Sequence, residues 1–123
     1  MKNLTKAEEQ IIQILWKLGK ATTKEILQEL PEPKPAITTV STIVRILESK
    51  EFVGHEPYKR GYIYYPILQK EEYAKQSLGK MLTNYFDGSY KKMLSFFVKD
   101  GDMSMQELEE ILKEINDKNP NHD

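Results

Sequence analysis

The sequence contains no cysteine and only two histidines, His55 and His122. Without cysteine, disulfides and thiolate metal sites are excluded, and neither histidine has a second carboxylate–histidine pairing that would build a metal or nucleophile site. We therefore predict that the protein is not an enzyme and uses no metal or cofactor. His55 and Glu56, which are adjacent in the sequence, are interpreted as a surface pair.

Long apolar segments are also absent. No apolar run approaches the roughly 18 residues that span a bilayer, and the first residues show no signal-peptide pattern. These absences predict no membrane association and a cytoplasmic location, which the lack of cysteine also fits. The net charge of −1 is unevenly distributed, because residues 1–66 hold ten basic and eight acidic side chains and residues 67–123 hold eight and eleven. The small basic excess therefore lies in the first half.

One further absence concerns acidic residues, since no carboxylate occurs from Ala36 to Leu47. Apolar residues recur in this stretch at helical spacing and predict a buried face: Val40, Ile43, Val44 and Leu47. The remaining face carries hydroxyls and one guanidinium: Thr38, Thr39, Ser41, Thr42 and Arg45. Such a face suits close approach to phosphates and base edges, so we predict a DNA-reading helix. The alternative is a helix whose hydroxyls only meet solvent.

Two β-prone runs follow this helix, Phe52–Tyr58 and Tyr62–Pro66, and they flank Lys59-Arg60-Gly61. The pattern predicts a hairpin with a basic tip, which after a helix is typical of a winged helix-turn-helix. We expect Lys59, Arg60 and Tyr62 to contact DNA, with the tip beside the sugar-phosphate backbone. A basic turn that is only solvated is the alternative.

Upstream, Thr5 with Glu8 and Thr22 with Glu25 have the spacing of capping boxes, which predicts the starts of two more helices. Gly19 is expected to close the first helix and Pro31 to end the second. The predicted fold class is therefore mainly α with a small β-hairpin wing. Residues 1–66 are expected to form a winged-helix domain and residues 67–123 a helical dimerisation domain, with a frayed tail from about residue 117.

The second half shows three apolar stripes at helical spacing, separated by Asp87-Gly88 and by Gly101. Three short amphipathic helices bury their faces poorly alone, so we predict a twofold homodimer on a palindromic operator. The residues expected at the dimer seam are Tyr73, Leu78, Met81, Leu82, Tyr85, Phe97, Leu108, Ile111, Leu112 and Ile115. Folding of these helices back on residues 1–66 as one globule is the alternative.

Four segments together carry a family resemblance: Leu4-Thr5-Lys6-Ala7-Glu8, Ile14-Leu15-Trp16, Thr39-Val40-Ser41-Thr42 with Arg45, and Arg60-Gly61-Tyr62-Ile63-Tyr64-Tyr65-Pro66. Their order and spacing closely resemble the BlaI/MecI-type penicillinase repressors. The resemblance continues through Phe97-Val98 and the helix from Ser104 to Ile115, so it covers nearly the whole chain. It implies an antibiotic-resistance-type regulator that represses transcription as a dimer on double-stranded DNA.

The resemblance also implies a regulatory protease, because induction in that family proceeds by a cut between an asparagine and the phenylalanine of a motif like Phe97-Val98. Phe96 stands at the asparagine position here, so the implied bond joins Phe96 to Phe97, and core packing of the two rings is the alternative. Glu51 stands where the family commonly has glycine, and Ala36 stands where serine is usual. A winged-helix protein-interaction module without DNA binding is the principal alternative function.

Overall fold

The computed structural model describes residues 3–118, with side chains through residue 114. Within these residues the chain forms six helices and one hairpin. The helices are α1 (Lys6–Leu18), α2 (Thr23–Glu29), α3 (Ile37–Ser49), α4 (Lys70–Tyr85), α5 (Tyr90–Lys99) and α6 (Met105–Lys118), and the strands are β1 (Val53–Tyr58) and β2 (Gly61–Pro66). The predicted fold class, mainly α with a hairpin wing, is confirmed. The Ile115 side chain and residues 119–123 of the expected tail lie outside the described part.

Two predicted capping boxes begin α1 and α2. The Thr5 N–H donates to Glu8 Oε1 at 2.8 Å, and the Glu8 N–H donates to Thr5 Oγ1 at 3.1 Å. Thr22 and Glu25 repeat the exchange at 2.9 and 3.2 Å. Each box satisfies two backbone donors that a helix start otherwise leaves unpaired.

The connection from α2 to α3 is held by one lysine. The Lys34 ammonium donates to the carbonyl oxygens of Leu27, Gln28 and Leu30 at 3.1, 3.0 and 2.6 Å. A cation at the carboxyl end of a helix satisfies its last carbonyls and complements the helix dipole. By contrast, α3 begins after Ala36, which offers no side-chain cap.

The end of α3 has the hydrogen bonds of a Schellman motif. The Phe52 N–H donates to the Leu47 carbonyl at 3.0 Å, and the Glu51 N–H donates to the Glu48 carbonyl at 2.9 Å. Glu51 lies at the position of this motif that requires a positive φ, and its φ is 66°. The expected glycine position is therefore a left-handed residue in this fold, and a glutamate occupies it.

The hairpin that follows is antiparallel, with Val53 opposite Pro66 and Tyr58 opposite Gly61. Lys59 and Arg60 form its two-residue turn, and Lys59 has a φ of 54°. Ala21, which lies between α1 and α2, pairs with Tyr64 through two backbone hydrogen bonds of 2.9 and 2.8 Å. This extra bridge anchors the wing to the helices of the same unit.

The described residues divide into two compact units, one ending at Lys75 and the other beginning at Gln76. The first unit has a continuous core of buried apolar side chains: Ile11, Ile12, Leu15, Ala21, Ile26, Leu30, Val40, Val44, Leu47, Phe52, Val53 and Leu68. Tyr73, at the start of α4, also packs against this core and lies 6.2 Å from the Trp16 ring. The Trp16 indole N–H donates to the Leu68 carbonyl at 2.8 Å.

A partly buried ion pair connects α1 and α3 in the first unit. Glu8 is almost fully buried, and its carboxylate accepts from the Lys50 ammonium at 2.9 Å. Burial alone raises the pKa of Glu8, but the hydrogen bonds from Thr5 and Lys50 and the Lys50 charge more than offset this, so the pKa is lowered. The pair therefore ties the start of α1 to the end of α3.

The second unit contains most of α4, together with α5 and α6. Only Leu82 and Met93 are buried among its described apolar side chains. Ser104 and Glu107 form a capping box at the start of α6, with distances of 3.2 and 3.0 Å. Gly88 and Gly101, with φ of 74° and 85°, follow the ends of α4 and α5 as the sequence predicted.

Candidate nucleic-acid interface

The outward face of α3 carries the side chains that the sequence proposed as DNA-reading. Val40, Val44 and Leu47 bury the opposite face in the core of the first unit. The proposed reading residues follow at the complementary positions: Thr38, Thr39, Thr42 and Arg45 are exposed, and Ser41 is half-buried. The structure thus brings four of the five to an accessible surface.

The hydroxyl of Thr42 is already engaged within the helix. Its Oγ1 donates to the Thr38 carbonyl at 2.9 Å, the back-bonding that threonine commonly makes within helices. The oxygen can still accept a hydrogen bond, and the methyl group is left as the apolar part of the side chain. Thr42 is therefore equipped to accept a hydrogen bond or make an apolar contact.

Arg45 lies one turn further along the same face. Within the described residues its guanidinium has no ion pair. Burial raises the pKa of Tyr64, the nearby Glu48 charge raises it further, and the Arg45 charge partly opposes them. Arg45, Glu48 and the Tyr64 phenol are therefore electrostatic neighbours where α3 meets the wing.

The wing tip presents its two cations to solvent, because both Lys59 and Arg60 are exposed. The Lys59 ammonium lies 5.3 Å from the centroid of the Tyr58 ring. Tyr62 is 54% exposed on β2 and therefore also accessible. The three predicted wing residues lie together at one end of the hairpin.

An open groove separates this wing tip from the start of α2. It is lined on one side by residues 22–25 and on the other by residues 58–62. Lys24 lies in this lining and adds a cation that sequence reasoning did not select. The capping spacing of residues 22–25 predicted a helix start, but only the fold brings that start near the wing.

The expected pairing of His55 with Glu56 is wrong. His55 Nδ1 hydrogen-bonds Glu48 Oε2 on α3, and Glu56 instead accepts from the Lys20 ammonium at 2.7 Å. Successive side chains of a strand point to opposite faces, so sequence neighbours in β1 cannot face each other. The alternation of side chains along a β-strand was therefore the sequence signal that His55 and Glu56 do not pair.

The residues predicted at a dimer seam have different surroundings within one copy. Leu78, Met81, Tyr85, Ile111 and Leu112 are exposed, Phe97 and Leu108 are half-buried, Leu82 is buried in the second unit, and Tyr73 is half-buried in the first unit. Three further apolar side chains of the second unit are exposed: Tyr90, Phe96 and Met105. Their exposure leaves a large apolar surface uncovered by a single copy.

The implied cleavage position falls inside α5. Phe96 and Phe97 both lie within this helix, with their ring centroids 6.0 Å apart. Phe96 also lies 5.7 Å from the Phe86 ring. A protease that binds its substrate as an extended chain could reach this bond only after α5 opens locally.

None of the helices in the part of the chain that the structure describes combines the length and the apolar composition of a membrane span. In the same part of the chain, no three or more His, Cys, Asp or Glu side chains lie close enough together to hold a metal ion.

Comparisons with known proteins point to a single family. Residues 4–117 match the family described as penicillinase repressor. The penicillinase repressor of Bacillus licheniformis is 22% identical over 88% of this chain and 85% of its own length. The methicillin resistance regulatory protein MecI of Staphylococcus aureus (strain N315) is 22% identical over 94% of each chain.

Proposed function

The chain belongs to the penicillinase repressor family, whose members are transcriptional repressors and not enzymes, and we propose that it represses transcription as a homodimer bound to a palindromic DNA operator. The names of its relatives connect them with penicillinase and methicillin resistance.

The observation that carries the DNA-binding part is the pairing, in one unit, of a helix face without carboxylates from Ala36 to Leu47 with a basic wing tip. The exposed hydroxyls of Thr38, Thr39 and Thr42 permit close approach, because they bring no charge that phosphates would repel. Lys59 and Arg60 lie at the wing tip, where cations favour contact with the sugar-phosphate backbone. The same unit therefore supplies a reading element and a positioning element.

Within this surface we assign different roles to the two arginines. Arg45 projects from the reading helix without an ion pair in the described residues, so it is free to donate two hydrogen bonds to a guanine. Arg60 lies in the hairpin turn, where a cation adds affinity for any sequence. The excess of only two basic residues in the first half implies modest non-specific affinity.

The homodimer part of the proposal is supported by the second unit. A surface with exposed Leu78, Met81, Ile111 and Leu112 is unfavourable in water, and a second copy offers a matching apolar face. A twofold dimer carries two reading helices to half-sites about 10 bp, or a multiple of this, apart. This geometry requires an operator with palindromic symmetry.

Replacement of each arginine by alanine tests the two roles. We expect Arg45→Ala to cost about 1–3 kcal/mol at the selected site and to relax base preference at one position. Arg60→Ala should weaken all sequences alike and lower the salt slope by roughly one phosphate contact. Binding is measured by fluorescence anisotropy over a salt series, on DNA fragments selected by the wild-type protein from a random library and on bulk DNA.

Identical behaviour of the two variants would remove the distinction between reading and positioning. A wild-type protein that bulk DNA does not retain at low salt would contradict DNA binding itself. That result would favour the interaction-module alternative, because a winged helix can serve either role.

We further propose that cleavage in α5 releases the protein from DNA. Joining two reading units through a dimer adds about 10²–10⁴-fold in affinity, and a cut between residues 96 and 97 separates each reading unit from α6. A foreign protease site engineered into residues 95–98 tests this idea without relying on the native protease. The uncut variant should dimerise and bind the selected DNA, and cleavage should reduce binding by about 100-fold or more. Undiminished binding after complete cleavage would contradict the release mechanism.

A further inference from the structure

Glu48 is the first acidic side chain on α3, and it follows Arg45 by three residues. Residues three apart on a helix are surface neighbours, so the Glu48 carboxylate lies within reach of the arginine proposed to read DNA. A Glu48 carboxylate without a hydrogen-bond partner would have two unfavourable effects on DNA binding. It can pair with Arg45, and it repels phosphates that approach the same face.

In the structure this carboxylate is held by the wing. His55 Nδ1 on β1 hydrogen-bonds Glu48 Oε2, so the contact joins the last turns of α3 to the strand that follows. About a third of each side chain is exposed. Arg45 meanwhile has no ion pair in the part of the chain that the structure describes.

The same imidazole also packs against β2. The His55 ring meets the Tyr62 ring edge-on, with centroids 4.7 Å apart and an interplanar angle of 70°. The Tyr64 ring lies 5.9 Å away on the same strand. Edge-to-face packing at this distance is favourable and directional. One side chain thus contacts the reading helix and the exposed wing tyrosine together.

We propose that His55 is a positioning residue for DNA binding, which holds the Glu48 carboxylate away from Arg45 and fixes Tyr62 of the wing beside α3. The inference rests on the proposed function and names a residue that need not touch DNA. The two contacts of His55 have separate consequences. The hydrogen bond sets the position of the Glu48 carboxylate, and the ring contact sets the position of the Tyr62 side chain.

Two substitutions test the hydrogen bond while a ring is kept beside Tyr62. His55→Phe keeps a ring beside Tyr62 and removes the hydrogen bond to Glu48. The double variant His55→Phe with Glu48→Gln then removes the released charge while changing no further residue of the wing. Glu56→Gln is the matched control, because it breaks the exposed ion pair with Lys20 on the same strand without touching α3.

These three variants, the single variant Glu48→Gln and the wild type are compared on a DNA duplex selected by the wild type, with thermal unfolding as a check of folding. We expect His55→Phe to weaken binding about fivefold, and the double variant to return to within about twofold of wild type. Glu48→Gln alone and Glu56→Gln should bind as tightly as wild type, or slightly more tightly. Restoration by Glu48→Gln is the decisive result, since a purely structural loss at residue 55 is not repaired by neutralising residue 48.

Unchanged binding by His55→Phe would overturn the inference, and so would a loss that Glu48→Gln fails to restore. In either case wild-type binding still supports the proposed function. A wild type that binds no duplex from the library would overturn the proposed function, and the inference would fall with it.

Discussion

The two units of this chain differ in how much of their apolar surface a single copy can bury. The first encloses a continuous core of twelve side chains, several of them fully inaccessible, such as Ile12, Leu15 and Leu47. The second buries only Leu82 and Met93 among its described apolar residues. The first unit therefore has a continuous core of its own within one copy, whereas the second buries few of its described apolar side chains.

The difference has an energetic consequence. Full burial of one large apolar side chain contributes roughly 1.5–3 kcal/mol. Eight such side chains in the second unit remain exposed: Leu78, Met81, Tyr85, Tyr90, Phe96, Met105, Ile111 and Leu112. Covering even part of this surface offsets the cost of association. Stability of the second unit should therefore depend on protein concentration, and stability of the first should not.

The largest effect is expected from a charge placed on this uncovered surface. Ile111 is 44% exposed in one copy, so Ile111→Asp should disturb the isolated helix little and the proposed seam strongly. An unpaired carboxylate in an apolar contact costs roughly 3 kcal/mol, or more than a hundredfold in dimer affinity. Sedimentation equilibrium and DNA binding on the same samples provide the measurement.

Gln106→Asp is the control, because it adds the same charge on the polar face of α6. It should leave the dimer intact. A wild type that is monomeric at micromolar concentration, or an Ile111→Asp protein that remains dimeric, would contradict the proposal that the second unit forms the dimer seam through Ile111.

Much of the first unit was predictable because its signals are local. Thr5 and Thr22 each occur three residues before a glutamate, and both form the expected caps. The hairpin followed from alternating β-prone residues around Lys59-Arg60. These features depend on neighbours in the sequence, which a single sequence displays.

The missed features depend on residues far apart in the sequence. The pairing of Glu8 with Lys50 spans 42 positions, and no local pattern connects them. The groove between Lys24 and the wing likewise arises only when α2 and the hairpin pack in one unit. For the second unit, the sequence predicted helices and apolar stripes, but no local pattern specifies the surface against which the exposed part of those stripes packs.

A smaller effect is expected from the partly buried ion pair between Glu8 and Lys50 in the first unit. Glu8→Gln preserves an oxygen that can accept from the Thr5 N–H, so the change isolates the charge interaction with Lys50. We expect a loss of roughly 1.5 kcal/mol in the free energy of unfolding at neutral pH. The loss should be the same at every protein concentration, because both residues belong to the self-contained unit.

The pH dependence gives a second measure of the same pair. The pKa of Glu8 is lower in the folded protein than its ordinary value of 4.5. Its stabilisation is therefore present above about pH 4.5 and is lost as the pH falls through the folded-state pKa. Denaturant unfolding of Glu8→Gln and wild type should converge in acid. Glu29→Gln, which breaks the exposed pair with Lys17, should change stability much less, and an equal effect would show that burial of Glu8 is irrelevant.

The smallest effect is expected at a type of helix end that occurs once in each unit. Both α3 and α5 end in a Schellman motif, with Glu51 at the left-handed position of one and Gly101 at that of the other, at φ of 66° and 85°. A Cβ at Gly101 would meet no atom within 4 Å. The left-handed backbone conformation is therefore the main cost of placing a side chain at this position.

Exchange of these two residue types tests the backbone contribution in both units. A side chain in the left-handed region costs about 1–2 kcal/mol, and the greater freedom of glycine in the unfolded chain cancels part of this. Glu51→Gly should therefore raise the free energy of unfolding by roughly 0.5–1 kcal/mol at any protein concentration, and Gly101→Glu should lower it by a similar amount. Chemical denaturation at two protein concentrations gives both values. A destabilised Glu51→Gly protein would show that the Glu51 side chain contributes an interaction that exceeds its conformational cost.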